Sequence, residues 1–126
     1  MKLSTRISLV AVLLASGVSA QAACVYPQAP QDLPNGASAT KEQMLAAQGT
    51  VKEYSKAVQE TYLPCLEQEK GTTIAALDAT DPEYAQKKLA IETVQAKKHN
   101  AALDELTALA TRWSEEIKAY TAAQKK

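Results

Sequence analysis

The chain has 126 residues, with 14 Lys and Arg balanced by 14 Asp and Glu, so its formal charge at neutral pH is zero. The lysine pairs Lys87-Lys88 and Lys97-Lys98 are interleaved with Glu83 and Glu92, which argues against binding nucleic acid or an anionic membrane surface, since both need clustered cations. Phe is absent, aromatics are 5%, and alanine supplies much of the 46% counted as hydrophobic. A methyl side chain buries little area compared with Leu or Ile. The core must therefore be thin, and a disulfide or a partner is expected to help hold it.

Lys2 and Arg6 precede the uncharged run Ile7 to Val18, and small residues lead to Ala20-Gln21-Ala22. That order predicts a secretory signal peptide over 1–22, hence a periplasmic mature protein. The run is too short to span a bilayer, which takes about 20 apolar residues. No membrane span is expected in the rest.

Cys24 follows at once, and the chain holds one other cysteine, Cys65. Two readings of Cys24 compete. A lipid anchor would need a lipobox, and Gln21 departs from the leucine that pattern expects. It would also leave Cys65 as a lone thiol in an oxidising compartment. An even pair in an exported chain is more simply a Cys24–Cys65 disulfide.

Prolines 27, 30 and 34 remove backbone donors and favour an extended, polyproline-like strap over 23–37, closed by a turn at Asn35-Gly36. The first helix is expected over about 40–78. Thr40 and Gln43 have capping-box spacing, and Met44, Ala47, Val51, Tyr54, Val58, Tyr62 and Cys65 recur three and four apart. Pro64 should kink or break that helix near its middle, because its ring crowds the carbonyl four residues back. Asp81-Pro82 reads as a cap and first residue of a second helix over about 82–124. Its predicted stripe is Ile91, Val94, Lys98, Ala102, Leu106, Ala110, Trp113, Ile117 and Tyr120. The run of four-residue steps in the middle suggests an eleven-residue insert, hence little supercoil.

A joint only a few residues long forces the two helices antiparallel. The fold class is thus all-α, a long coiled-coil-like helical hairpin over 38–126 with an N-terminal strap. Thr40 to Cys65 is about 37 Å along a helix at 1.5 Å per residue. The strap can span around 50 Å at about 3.1 Å per residue, so the bridge is reachable. Closing that loop contributes on the order of 4 kcal/mol.

The stretches CVYPQAPQDLPNGASATKEQM and YLPCLEQE together resemble a group of small uncharacterised exported proteins of proteobacteria. The likeness covers about Cys24 to Glu69. It implies a periplasmic location and a helical hairpin, and it carries over no functional residue.

Chemistry-bearing residues do not converge. His99 is the sole histidine, and Ala96 stands where a Glu-x-x-His metal motif needs Glu. Ser55 and Ser114 have no histidine at one-turn spacing. Glu67 with Glu69, and Glu115 with Glu116, diverge on a helix and read as solvated face. No catalytic residue, metal or cofactor is expected. Tyr54, Tyr62, Trp113 and Tyr120 are read as core packing, with an open aromatic docking surface as the functional alternative. The expected role is non-enzymatic: interaction with a protein partner or homodimer in the cell envelope. Alternatives are a chaperone that holds unfolded clients and a lipoprotein anchored through Cys24.

Overall fold

The computed structural model describes residues 23–125. The signal-peptide expectation for residues 1–22 lies outside them. Thr40 starts the first helix as the spacing predicts: its Oγ1 accepts from the Gln43 amide at 3.2 Å, and the Gln43 side chain accepts from the Thr40 amide at 2.8 Å. Two backbone donors that an unfinished first turn would waste are thereby satisfied.

From that cap one rod runs through α1 (Lys41–Lys56), a π-helical segment (Ala57–Tyr62) and α2 (Leu63–Ala75). It neither breaks nor restarts at Pro64. Instead the turn before the proline widens, and the Leu63 amide donates to the Val58 carbonyl five residues back. The wider turn accommodates the ring and the missing N–H that would otherwise disrupt an α-helix. It also corrects a phase error. Tyr54, Val58, Tyr62 and Leu66 are all buried at four-residue intervals. In a pure α-helix each such step overshoots a full turn by about 40°, so the last of them would leave the face. The π segment gives back the excess rotation.

The first rod ends at Ala75, three residues earlier than expected, and the connection is held by its own side chains. Asp78 Oδ1 accepts from the Thr80 amide at 2.9 Å and hydroxyl at 2.7 Å, and Asp81 Oδ1 accepts from the Glu83 amide at 2.8 Å. These donors, with Lys87 on Asp81, hold both carboxyls below the usual carboxylate range. Asp81 thus caps a preliminary turn, and the second rod, α3 (Tyr84–Ala123), begins two residues beyond Pro82.

Both α1 and α2 pack on α3, as an antiparallel hairpin requires. No strand occurs among the described residues, and the fold is all-α. The core is small. Ala29, Tyr54, Val58, Tyr62, Leu66, Ala102 and Leu109 form one cluster, with Cys24, Leu33, Val51, Leu63 and Leu106 against it. Of these only Leu66, Leu109 and Val58 are large and wholly buried, at about 1.5 to 3 kcal/mol each. A disulfide contribution near 4 kcal/mol is of the same order as that sum.

On α3 the buried line differs from the predicted stripe. Gln95, Ala102 and Leu109 are buried and Glu116 is half-buried, while Val94, Lys98, Ala110 and Ile117 are exposed. The buried residues stand seven apart, so the eleven-residue insert is not what the helix uses. The reason lies in the strap, which claims one flank of α3 and so sets how the helix is rotated. Among the described residues no helix is long and apolar enough to cross a membrane.

Candidate interaction surface

Cys24 is bonded to Cys65, with Cα atoms 5.8 Å apart. A sulfur committed to Cys65 cannot also carry a thioether-linked lipid, so the anchored alternative is incompatible with this state of Cys24. The bridge sits beside an open cleft of ≈ 420 Å³ lined by Ala23, Gln68, Glu69, Thr72 and Thr73 along with both cysteines.

From the bridge the strap runs back along the groove between the rods. Its buried and half-buried positions are Cys24, Pro27, Ala29, Pro30, Leu33, Pro34 and Gly36. Most recur every third residue, which is the period of a polyproline helix. Tyr26 makes the main side-chain anchor. Its ring meets that of Tyr62 edge-on at 4.9 Å between centroids, a geometry favoured by the ring quadrupoles. Its hydroxyl lies 2.9 Å from that of Tyr54 and donates to the Glu105 carboxylate on α3. A phenol has one hydrogen to give, so Tyr54 supplies the hydrogen between the two hydroxyls.

Burial, and then the hydrogen bond to Glu105, push the Tyr26 hydroxyl well above the ordinary tyrosine range. Tyr54 is raised as well, chiefly by burial and further by the Glu105 charge. Two neutral phenols and a carboxylate therefore tie strap, first rod and second rod together at neutral pH.

Farther along, an Arg112 nitrogen donates to the Pro30 carbonyl at 3.3 Å. The Gly36 amide donates to Glu116 Oε2 at 2.6 Å. Gly36 has no positive φ; it is required for space. A Cβ there would lie 1.9 Å from the Glu116 carbonyl oxygen and 3.0 Å from the Tyr120 amide nitrogen. The strap backbone is laid directly on the backbone of α3.

Of the residues singled out from sequence, Tyr54 and Tyr62 are buried beneath the strap and Trp113 and Tyr120 are half-buried on α3. The first pair is core and cannot serve as an open docking surface. Glu116, read as solvated, is half-buried and holds the strap. Tyr26 was not among the singled-out aromatics, and it lies out of phase with the three-residue series Cys24, Pro27, Pro30, Leu33 and Gly36, so no spacing in the strap marks it. His99 is half-buried, Ser55 is spent on the Val51 carbonyl at 2.9 Å and Ser114 is exposed. Among the described residues no group of three His, Cys, Asp or Glu is placed to hold a metal ion.

A different surface stands out. Leu89, Ala96, Leu103, Ala110 and Ile117 form a row with seven-residue spacing, one position after the buried Gln95, Ala102 and Leu109. It faces solvent, with Leu89 63%, Leu103 40% and Ile117 41% exposed. At 3.6 residues per turn this row lies about 160° around the helix axis from Glu105 and Arg112 and about 100° from Glu116. The strap does not reach it. The buried and half-buried row one position before it contains Gln95 and Glu116, whereas the more apolar row faces outward.

The class these features define is a helical hairpin closed along one groove by a disulfide-pinned strap. Comparison with protein-family models, curated proteins and solved structures finds no match to this chain.

Proposed function

We propose that this chain is a non-enzymatic interaction module that works in the periplasm after export, and that it acts through the uncovered flank of α3. The observation that carries this reading is the outward row of Leu89, Leu103 and Ile117 on a rod held by a covalent strap. A line of exposed apolar side chains on a rigid element offers a partner apolar area to bury. The disulfide and the A-x-A leader agree on an oxidising compartment outside the cytoplasm. Client holding is the weaker reading, because Tyr54 and Tyr62 are spent in the core and an adaptable aromatic surface would need them open.

The test is photo-crosslinking in the native host. A photoreactive residue at Leu103 is expected to give discrete periplasmic adducts, whereas one at Lys97, on another face of the same helix, gives none. Absence of adducts at Leu103, or equal labelling from both positions, would overturn the reading.

A further inference from the structure

We propose that Asn35-Gly36 is a modification site at which the Asn35 side chain cyclises onto the Gly36 nitrogen, and that the seated strap holds this reaction off. Conversion then marks, irreversibly, the molecules whose strap has left the groove.

The chemistry needs only water. First the Gly36 nitrogen bonds to Asn35 Cγ and the Cγ–Nδ2 bond breaks; the Gly36 amide proton leaves with the side-chain nitrogen as ammonia, and a succinimide ring remains. Water then adds to either ring carbonyl and returns a proton to the Gly36 nitrogen. Opening at Cγ gives aspartate, whereas opening at the main-chain carbonyl gives isoaspartate, whose backbone runs through the former side chain. Glycine after asparagine permits this most freely, because no Cβ screens its nitrogen or limits its rotation. The chain has one such pair; its other asparagine, Asn100, precedes Ala101.

The first obstacle in the folded chain is direction. In the ring, the bond to Cγ takes the place of the N–H bond, so the hydrogen must point at Cγ before it leaves. Here it points at Glu116 Oε2, 2.6 Å from the nitrogen. Even if that carboxylate took the proton, the lone pair left behind would face Glu116 and not Asn35.

The second is the turn. Asn35 Oδ1 accepts from the Ala37 amide at 3.0 Å, and the Asn35 main-chain carbonyl accepts from the amides of Ser38 at 3.1 Å and Ala39 at 2.8 Å. That carbonyl and the Gly36 N–H share one rigid plane, so turning one toward Cγ pulls the other from its donors.

The third is room. Asn35 is exposed, so water reaches its side chain, but Gly36 is buried. A methyl carbon on Gly36 would lie 1.9 Å from the Glu116 carbonyl oxygen, which leaves the peptide no space to swing while the strap is seated. The same fit rejects the product. A succinimide has no N–H for Glu116, and isoaspartate lengthens the backbone just before its contact with α3.

Ageing the oxidised mature protein at mildly alkaline pH, with peptide mapping by mass spectrometry, tests this. Conversion is read as exchange of NH for O at Asn35, and isoaspartate by enzymatic methylation of its carboxylate. The parent should convert far more slowly than the same chain unfolded in urea. Glu116→Ala, with the disulfide intact, should speed conversion about tenfold, as loss of a hydrogen bond to a charged group allows. Cys24→Ser with Cys65→Ser should speed it too, because a strap without its covalent end opens more often. Material aged in urea and refolded should melt lower in its isoaspartate fraction than in its unconverted fraction.

A parent that converts at the unfolded rate overturns the proposal, as does slower conversion in Glu116→Ala, which would make Glu116 a base for the reaction. A double cysteine variant that keeps its helix content and the parent rate overturns the coupling to the strap; if that variant unfolds, Glu116→Ala decides. Equal melting of the two refolded fractions overturns the claim that the product is rejected.

Discussion

The two flanks of α3 share one helix and one alanine-rich composition, yet they are treated oppositely. The flank bearing Glu105, Arg112 and Glu116 is covered by the strap, and the flank bearing Leu89, Leu103 and Ile117 is bare. An extended chain brings unpaired N–H and C=O groups, so it is held where polar side chains can meet them. An apolar row offers such a chain nothing to bond. The side chains of α3 that hold the strap are thus polar and the bare row is apolar, while Ala102 and Leu109 keep the usual apolar burial in the core.

The largest way to break the contrast is to cut the strap free. Replacing both cysteines, Cys24→Ser with Cys65→Ser, should cost about 4 kcal/mol and lower the midpoint of thermal unfolding by many degrees in a chain this short. An unchanged melting temperature would mean that the covered flank does not depend on its covalent end.

At the other end, Gly36→Ala drives a methyl group into the α3 backbone and should cost about 2 to 3 kcal/mol. Hydrogen exchange should show the Gly36 amide, protected by Glu116 in the parent, exchanging freely. Equal protection in parent and variant would show that the close approach is dispensable.

Tyr26→Phe sharpens the middle of the strap. It removes the hydroxyl that joins Tyr54 to Glu105 and should cost about 1 kcal/mol, discounted because Tyr26 is 38% exposed. The pH dependence has a definite sign. Both tyrosines sit above their ordinary value of 10.0, so their contribution is complete below that pH and is lost as pH rises through the folded-state values. Stability of the parent should fall above about pH 10, and the variant should fall less steeply. Parallel curves would mean that the phenols do not act as a pair.

Between the flanks lies Gln95, whose Oε1 is buried without a partner. Gln95→Leu should raise stability by about 1 kcal/mol, read from urea midpoints, since an unmet buried acceptor is costly. A loss instead would assign Gln95 to fixing the register of the two rods. Smallest of all, Leu103→Ala on the bare flank should change monomer stability by less than about 0.5 kcal/mol; a larger loss would place Leu103 in the fold and not at its surface.

Much of the first rod was legible because local chemistry decides it. Thr40 and Gln43 cap it, and Met44 through Tyr62 line one face, at spacings any helix must obey. At Pro64 the expected break does not occur; the α pattern is interrupted by the π turn just before it, a way around the proline penalty that short-range sequence pattern does not display. On α3 the predicted stripe holds at Ile91, Ala102, Leu106, Trp113 and Tyr120, which are buried or half-buried, and fails at Val94, Lys98, Ala110 and Ile117, because an alanine-rich helix offers several rows of similar apolarity. Glu116 and Tyr26 were missed since each gains its role from a group some 80 residues distant in the chain.

The sequence by itself determined the helices, the strap and the pairing of two cysteines, since caps, prolines and the cysteine count act over short range or by exclusion. Only the tertiary structure decided which flank of α3 the strap covers. That choice depends on Gly36 fitting against a distant backbone and on Glu105, Arg112 and Glu116 meeting an extended chain, contacts that exist only once the hairpin has closed.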